Sequence, residues 1–314
     1  MKTNPFADNF EPSRMYIYVR SRQLEGTFPG NPIIGTWIST SMRVGKGWGV
    51  VEESLWPYDG AANHWPPCEP PEVDLQAKRN RVLAYQRIST VDECRTVLAT
   101  KNFIIAAFNI DDSWFKAKKG LISIPNNQNI IGAHTVSLVG YKDRKQMFTF
   151  VNSWGMSWGD GGHGYLPYNY FSNRFLEGWS IIALDENRPK HLELNGIHLY
   201  SWGINSLLGI TLHGMEFIDS DQNEIIAWGF ATEHKKLLNL EELFVRPNWR
   251  RQGYGSKLAT EFNQLSTKLG KPLRAWIPHS DDESINHPAL IATLHYLGLS
   301  LAPSPVKWAS KIGI

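Results

Sequence analysis

The period of the apolar positions changes along the chain. Near the start, "FEPSRMYIYVRSRQLEG" (10–26) sets apolar residues at roughly helical spacing behind a Pro and a Ser, which predicts a helix. "GTWISTSMRVGKGWGVVEESLWPYDG" (35–60) predicts a short helix, a Gly-containing turn and an extended exit. "TVDECRTVLATKN" (90–102) predicts a helix opened by a capping box, with Thr90 three residues before Glu93. After it come segments rich in β-branched and aromatic residues: "FIIAAFNI" (103–110), "HTVSLVGYK" (134–142), "MFTFVNSW" (147–154) and "WSIIALD" (179–185). These predict strands, so the first part of the chain has helices first and strands later, an α+β order.

A polar stretch with a Pro, "DENRPK" (185–190), separates this part from a second pattern, and it is the expected boundary between domains 1–187 and 192–314. The second part reads as a hairpin, "GITLHGMEFIDSDQNEIIAWGFAT" (209–232), turning at "DSDQNE". Strand "LNLEELFV" (238–245), loop "RPNWRRQGYG" (246–255), helix "SKLATEFNQLSTKLG" (256–270), strand "KPLRAWIP" (271–278) and helix "PALIATLHYLG" (288–298) follow. Strand, helix, strand in that order predicts a right-handed crossover on a mainly antiparallel sheet.

Composition narrows the partners. The 314 residues suffice for two domains, and 42% hydrophobic with 20% charged is ordinary for a globular protein. Thirty-two basic against thirty acidic residues leave a formal charge of +2, so no nucleic-acid partner is expected. No apolar run approaches the ~20 residues of a membrane span, and the first residues show no signal-peptide pattern. Two cysteines, Cys68 and Cys94, form no disulfide framework and fit a reducing compartment. A cytoplasmic location is therefore expected, with no metal site. The 13 Trp are assigned mainly to cores.

Two constellations carry chemistry. In "GAHTVSLVGYKDRKQMFTFVNSWGMSWGDGGHGY", His134 opens one predicted strand and Asn152 ends the next, with "YKDRKQ" turning between them. An imidazole base oriented by an amide is what a thiol nucleophile requires. Trp154 and Trp158 are placed to shield that pair from water. The G-x-G-x-x-G of "GDGGHG" (159–164) is followed by no helix and predicts a glycine turn into a strand instead of a dinucleotide site. With "ESLWPYDG", this segment resembles the papain-like cysteine peptidases over about residues 9–185. The resemblance implies that His134 is the catalytic His, Asn152 the orienting Asn and Trp154 the Trp over it. It also implies that the helix with the nucleophilic Cys and the oxyanion Gln lies upstream of Met1. Cys68 and Cys94 are out of place for that role, so this chain alone is expected to be an inactive peptidase, a pseudoenzyme.

In the second part, "LEELFVRPNWRRQGYGSKLATEF" puts Gly253 and Gly255 between a strand and a helix. Glycines let backbone approach an anion, and a helix N-terminus turns free N–H groups toward it. This part resembles the GNAT acetyltransferases over about 210–300, through Arg250, Gly253 and Gly255. The resemblance implies acetyl-CoA as co-substrate, with Leu243 and Val245 meeting the pantetheine arm through main chain. It places Arg250, Arg251, Gln252, Gly253, Tyr254, Gly255 and Ser256 around the pyrophosphate. Glu242 matches a strand acid that orients a water or the amine, and Tyr296 stands nearest the usual general acid. Residues 191–211 leave no room for the two helices expected to wall the acceptor site, so the papain-like part is expected to supply that wall. The acceptor is then a peptide or protein amine. The expected protein is a papain-like fold followed by a GNAT mixed-sheet domain, an N-acetyltransferase. The alternatives are a truncated bifunctional peptidase–acetyltransferase and a non-catalytic peptide-binding module.

Overall fold

The computed structural model describes residues 10–58, 65–124, 129–184 and 196–275. The first segment opens with helices α1 (Arg14–Leu24) and α2 (Ile38–Gly47), and the shorter α3 (Val73–Ala77) follows. The Ser13 hydroxyl accepts from the Tyr16 N–H and starts α1. A six-stranded antiparallel sheet comes next: β1 (Val82–Arg87), β2 (Ile104–Ile110), β3 (Gly132–Lys142), β4 (Met147–Val151), β5 (His163–Pro167) and β6 (Phe175–Leu184), in the order β1-β6-β2-β3-β4-β5. Helix α4 (Val91–Ala99) carries the expected capping box in full, with Thr90 and Glu93 bonding reciprocally.

The sequence pattern did not single out β1 or the helix α5 (Tyr168–Arg174). β1 is buried nearly throughout, so "VLAYQR" has no alternation to detect. The helix "YNYFSNR" is short, and its three aromatics favour strands while its two Asn favour turns. β6 starts at Phe175, four residues before the expected strand, because it lies between β1 and β2 and pairs with both.

The second sheet runs β11-β10-β9-β8-β7: β7 (Ile197–Asn205), β8 (Thr211–Asp219), β9 (Glu224–Glu233), β10 (Leu238–Val245) and β11 (Leu273–Ala275). All pairs are antiparallel except β10 with β11, joined by the crossover helix α6 (Tyr254–Leu269). β7 occupies most of the described chain before the β8–β9 hairpin, where the sequence reading left room for a strand.

The two faces of this sheet have different covers. α6 packs Leu258 and Phe262 on Met215, Ile226 and Leu240. The opposite face lies on the first segment, where Met42, Tyr85 and Trp179 share one core with Trp202, Trp228 and Phe230. Each large apolar side chain buried there contributes about 1.5–3 kcal/mol relative to exposure. Helix α2 thus packs on that face, consistent with residues 191–211 leaving no room for two helices. It also brings two ion pairs into the seam, Arg43 Nε to Glu242 Oε1 at 3.2 Å and Lys46 Nζ to Glu216 Oε2 at 2.5 Å. All four side chains are buried.

Candidate active sites

β3 alternates along its first half: His134, Val136 and Leu138 point to the core while Thr135 and Val139 face out. Strand periodicity alone therefore turns His134 inward. Asn152 follows directly on β4, held by its N–H donating to Gly162 O at 2.9 Å. The glycine turn of "GDGGHG" supplies that carbonyl, with Gly159, Gly161 and Gly162 all at positive φ, and it leads into β5 as expected. A Cβ on Gly159 would lie 2.4 Å from the His163 carbonyl oxygen, so the turn requires glycine there.

The two side chains meet as expected. His134 Nε2 lies 2.8 Å from Asn152 Oδ1. The Ser153 N–H donates to the same Oδ1 at 2.8 Å, which identifies that atom as the amide oxygen. An amide oxygen only accepts, so Nε2 carries the proton and Nδ1 keeps its lone pair. Nδ1 has no hydrogen-bond partner among the described residues. The Trp154 ring lies over the imidazole at 4.6 Å, Trp114 meets it edge-on at 5.7 Å, and Trp158 braces Trp154 edge-on at 5.6 Å. Burial holds the imidazole below its usual pKa, and the bond to Asn152 works against that shift. The arrangement is a neutral base with a fixed tautomer.

No cysteine sulfur lies within hydrogen-bond reach of His134 among the described residues. Cys94 is packed in the core on α4, and burial pushes its thiol well above the usual range, so it is inert. Cys68 is exposed beside Glu69, whose carboxylate holds Arg20 of α1.

The second constellation lies where β10 ends. A short 3-10 turn (Pro247–Trp249) leads to Arg250, Arg251 at φ +64 and Gly253 at φ +85, which precedes α6. Two left-handed residues within three positions fold the backbone into a concave turn, of the kind that presents N–H groups to an anion. A Cβ built on Gly253 meets nothing within 4 Å, so this side of the turn is open. Arg251, Gln252, Gly253 and Ser256 are exposed, and Tyr254 and Gly255 partly so. The first N–H groups of the sixteen-residue α6 lack intrahelical partners and point out of the helix start, where this turn precedes it. Arg250 departs from the expectation that it adds charge at the mouth. Its Nε donates to Val245 O at 3.1 Å and its guanidinium lies 5.7 Å from the Phe244 ring centre. It braces the loop stem from within.

Residues 33–174 match the papain family of cysteine proteases, and residues 176–289 match the GNAT family of acetyltransferases. The chain carries a papain-family peptidase domain followed by a GNAT-family domain. Over 206 residues it is 29% identical to a protein of Acanthamoeba polyphaga mimivirus named uncharacterized peptidase C1-like protein, covering 61% of this chain and 65% of the relative. Over 123 residues it is 28% identical to Peptidase 1 of Psoroptes ovis, covering 38% of this chain and 37% of that one. The chain thus spans less than two thirds of the curated relatives it matches. Among solved structures, xylellain, a cysteine protease from Xylella fastidiosa, superposes with a TM-score of 0.50 at 27% identity, over 56% of this chain and 72% of its own.

In the GNAT domain, Leu243 and Val245 pack toward α6 while Glu242 and Phe244 face the papain-family domain. Glu242 was expected as an accessible strand acid. The structure buries it to 4% exposure and sets both of its oxygens against the Arg43 guanidinium. A carboxylate engaged this way by a buried guanidinium is not presented to an incoming amine. The register of β10 on β9 is interrupted between Leu240 and Glu242. At that bulge Glu241 is half-buried, accepting from Thr232 Oγ1 at 2.8 Å and Asn239 Nδ2 at 2.7 Å. The doublet of acids in "LEELFV" was the available signal for it, but strand alternation does not foresee a bulge. Tyr296 lies outside the described residues, as does the helix predicted around it. Among the described residues, no helix is long and apolar enough to cross a membrane, and no group of His, Cys, Asp and Glu could hold a metal.

Proposed function

We propose that the GNAT domain transfers an acetyl group from acetyl-CoA to an amine of a peptide or protein, and that the papain-family cleft of this chain serves recognition rather than hydrolysis. The observation that carries this reading is the open left-handed turn at 250–256 ahead of α6. Acetyl-CoA would supply the activated acyl group. The backbone from Arg251 to Ser256 would hold its pyrophosphate, and the main chain of Leu243 and Val245 its pantetheine arm. Nitrogen attack forms the C–N bond and breaks the C–S bond; the proton the nitrogen loses passes to solvent water, and Tyr296 is the proposed proton source for the departing thiolate. In this reading Glu242 fixes β10 against α2 and takes no proton.

Titration calorimetry with acetyl-CoA tests the assignment. Gly253→Val puts a β-branched side chain into the open turn at a φ that costs an L-residue about 1–2 kcal/mol. Binding should be lost, and an unchanged affinity would refute the cradle.

A second reading, a cysteine peptidase completed by a thiol from a segment preceding Met1, is favoured by the intact lone pair on His134 Nδ1. A chain extended upstream by a Gln- and Cys-bearing helix should then hydrolyse peptides, and His134→Ala should abolish that activity. No hydrolysis by the extended chain would leave recognition as the role of the cleft.

A further inference from the structure

The loop that would cradle the pyrophosphate grows from a stem, Arg246, that is bonded into its own sheet and faces the other domain through Trp48. The Arg246 N–H donates to Ile226 O at 2.9 Å, and its carbonyl accepts from the Trp249 N–H at 2.9 Å, so this residue joins β9, β10 and the 3-10 turn. Its guanidinium lies 4.3 Å from the ring centre of Trp48, the residue just after α2, and 3.4 Å from Glu224. Glu224 also accepts Lys78, at 3.2 Å. Lys78 reaches Gln222 O, and Arg81 reaches the Asn223 carbonyl and side chain at 2.7 and 3.1 Å. The tip of the β8–β9 hairpin is therefore clasped by the papain-family domain at the same end of the sheet as the loop. A second tie runs through Phe244, whose ring centre lies 5.6 Å from Arg43 of α2 and 5.7 Å from Arg250 of the loop.

We propose that the papain-family domain is a working part of the acyl-CoA site, and that Trp48, through Arg246, is a positioning residue for acyl-CoA binding. A cradle of backbone N–H groups binds an anion only while those groups stay aligned, because each contributes through direction as well as distance. The loop is also held from its own domain, by Arg250 on Val245 O and by Tyr254 on Phe217 at 5.0 Å, but Arg246 is where it meets the papain-family domain through Trp48. Trp249 and Tyr254 pack on each other at 6.0 Å, and Gln252 bonds only within the loop, to Asn248 O. The flat face of Trp48 fixes the plane of the Arg246 guanidinium, and with it the departure angle of the turn. The inference rests on the acyl-CoA reading of the loop given above.

The test is titration calorimetry of the full chain with acetyl-CoA, together with thermal unfolding without ligand. Trp48→Ala should weaken acetyl-CoA binding about three- to thirtyfold, the range of a partly desolvated cation–π contact. Trp48→Leu, which keeps apolar volume without the ring, should weaken it as well, whereas Trp48→Phe should restore it to within about threefold. Val97→Ala, in the α4 core of the papain-family domain, should lower the unfolding temperature and leave the affinity unchanged. If the unaltered chain binds acetyl-CoA and both Trp48→Ala and Trp48→Leu bind within twofold of it, the proposal is overturned while the acyl-CoA reading stands. A loss in Val97→Ala as large as in Trp48→Ala overturns it too, since general destabilisation would then explain both. If the unaltered chain does not bind acetyl-CoA, the acyl-CoA reading itself fails, and this one with it.

Discussion

Gly47 is the last residue of α2, and the second sheet approaches it closely enough to make it a sharp probe of the seam. A Cβ built at Gly47 would lie 2.9 Å from Trp228 Cη2 and 3.1 Å from Cζ3. The indole has little room to yield. Trp228 is fully buried, tilted against Phe244 at 4.7 Å, and its Nε1 donates to Tyr85 Oη at 3.3 Å. Two effects oppose each other in Gly47→Ala. Alanine is favoured over glycine in a helix by about 0.5–1 kcal/mol. Overpacking a filled core costs roughly 1–3 kcal/mol. The packing effect is the larger, so the variant should be destabilised by about 0.5–2 kcal/mol, a fall in unfolding temperature of roughly 1–6 °C for a chain of this size. Scanning calorimetry, with tryptophan fluorescence followed in parallel, measures it. Both probes should report one transition, because the core around Trp228 belongs to both domains. Gly35→Ala is the control: nothing lies within 4 Å of its added Cβ, and its stability should not fall. A Gly47→Ala variant as stable as the unaltered chain, or more so, would refute the tight approach of the two domains.

Further outcomes follow from the same geometry. Lys46→Met leaves Glu216 buried without its cation and should cost about 3–5 kcal/mol, while pairing it with Glu216→Leu should recover most of that loss. Merely additive losses in that double-mutant cycle would show that the two charges do not interact. Burial makes folded His134 harder to protonate than the unfolded residue, so its contribution to stability is present above about pH 6.5 and is lost as pH falls toward the folded pKa. His134→Gln should therefore flatten the fall of unfolding temperature on acidification below about pH 6.5, and an unchanged slope would contradict it. Asn152→Ala removes the hydrogen bond that partly offsets burial, so the His134 titration followed by NMR should move further down.

Much of each half could be read in the chain because the signals are local. The capping box at Thr90 and Glu93 needs only a helix start, and it is present as expected. The alternation in "HTVSLVGYK" buries His134, and the glycines of "GDGGHG" make the turn whose carbonyl holds Asn152. The left-handed residues at Arg251 and Gly253 lie where a glycine-containing strand-to-helix connection calls for them.

The seam could not be read this way, because its partners are far apart in sequence. Arg43 and Glu242 are separated by 199 residues, and no periodicity links them. Read locally, Glu242 is a polar position on a strand. Packing α2 onto that strand removes it from water, and burying a carboxylate is tolerable only with a cation beside it, so Arg43 decides what Glu242 can do. The same packing fits Gly47 of "GKGWG" against Trp228, and it sets Trp48 over Arg246. Local pattern suffices where a backbone conformation or a strand's own alternation dictates the outcome. It fails where desolvation does, because the exposure of a side chain depends on which distant surface comes to cover it.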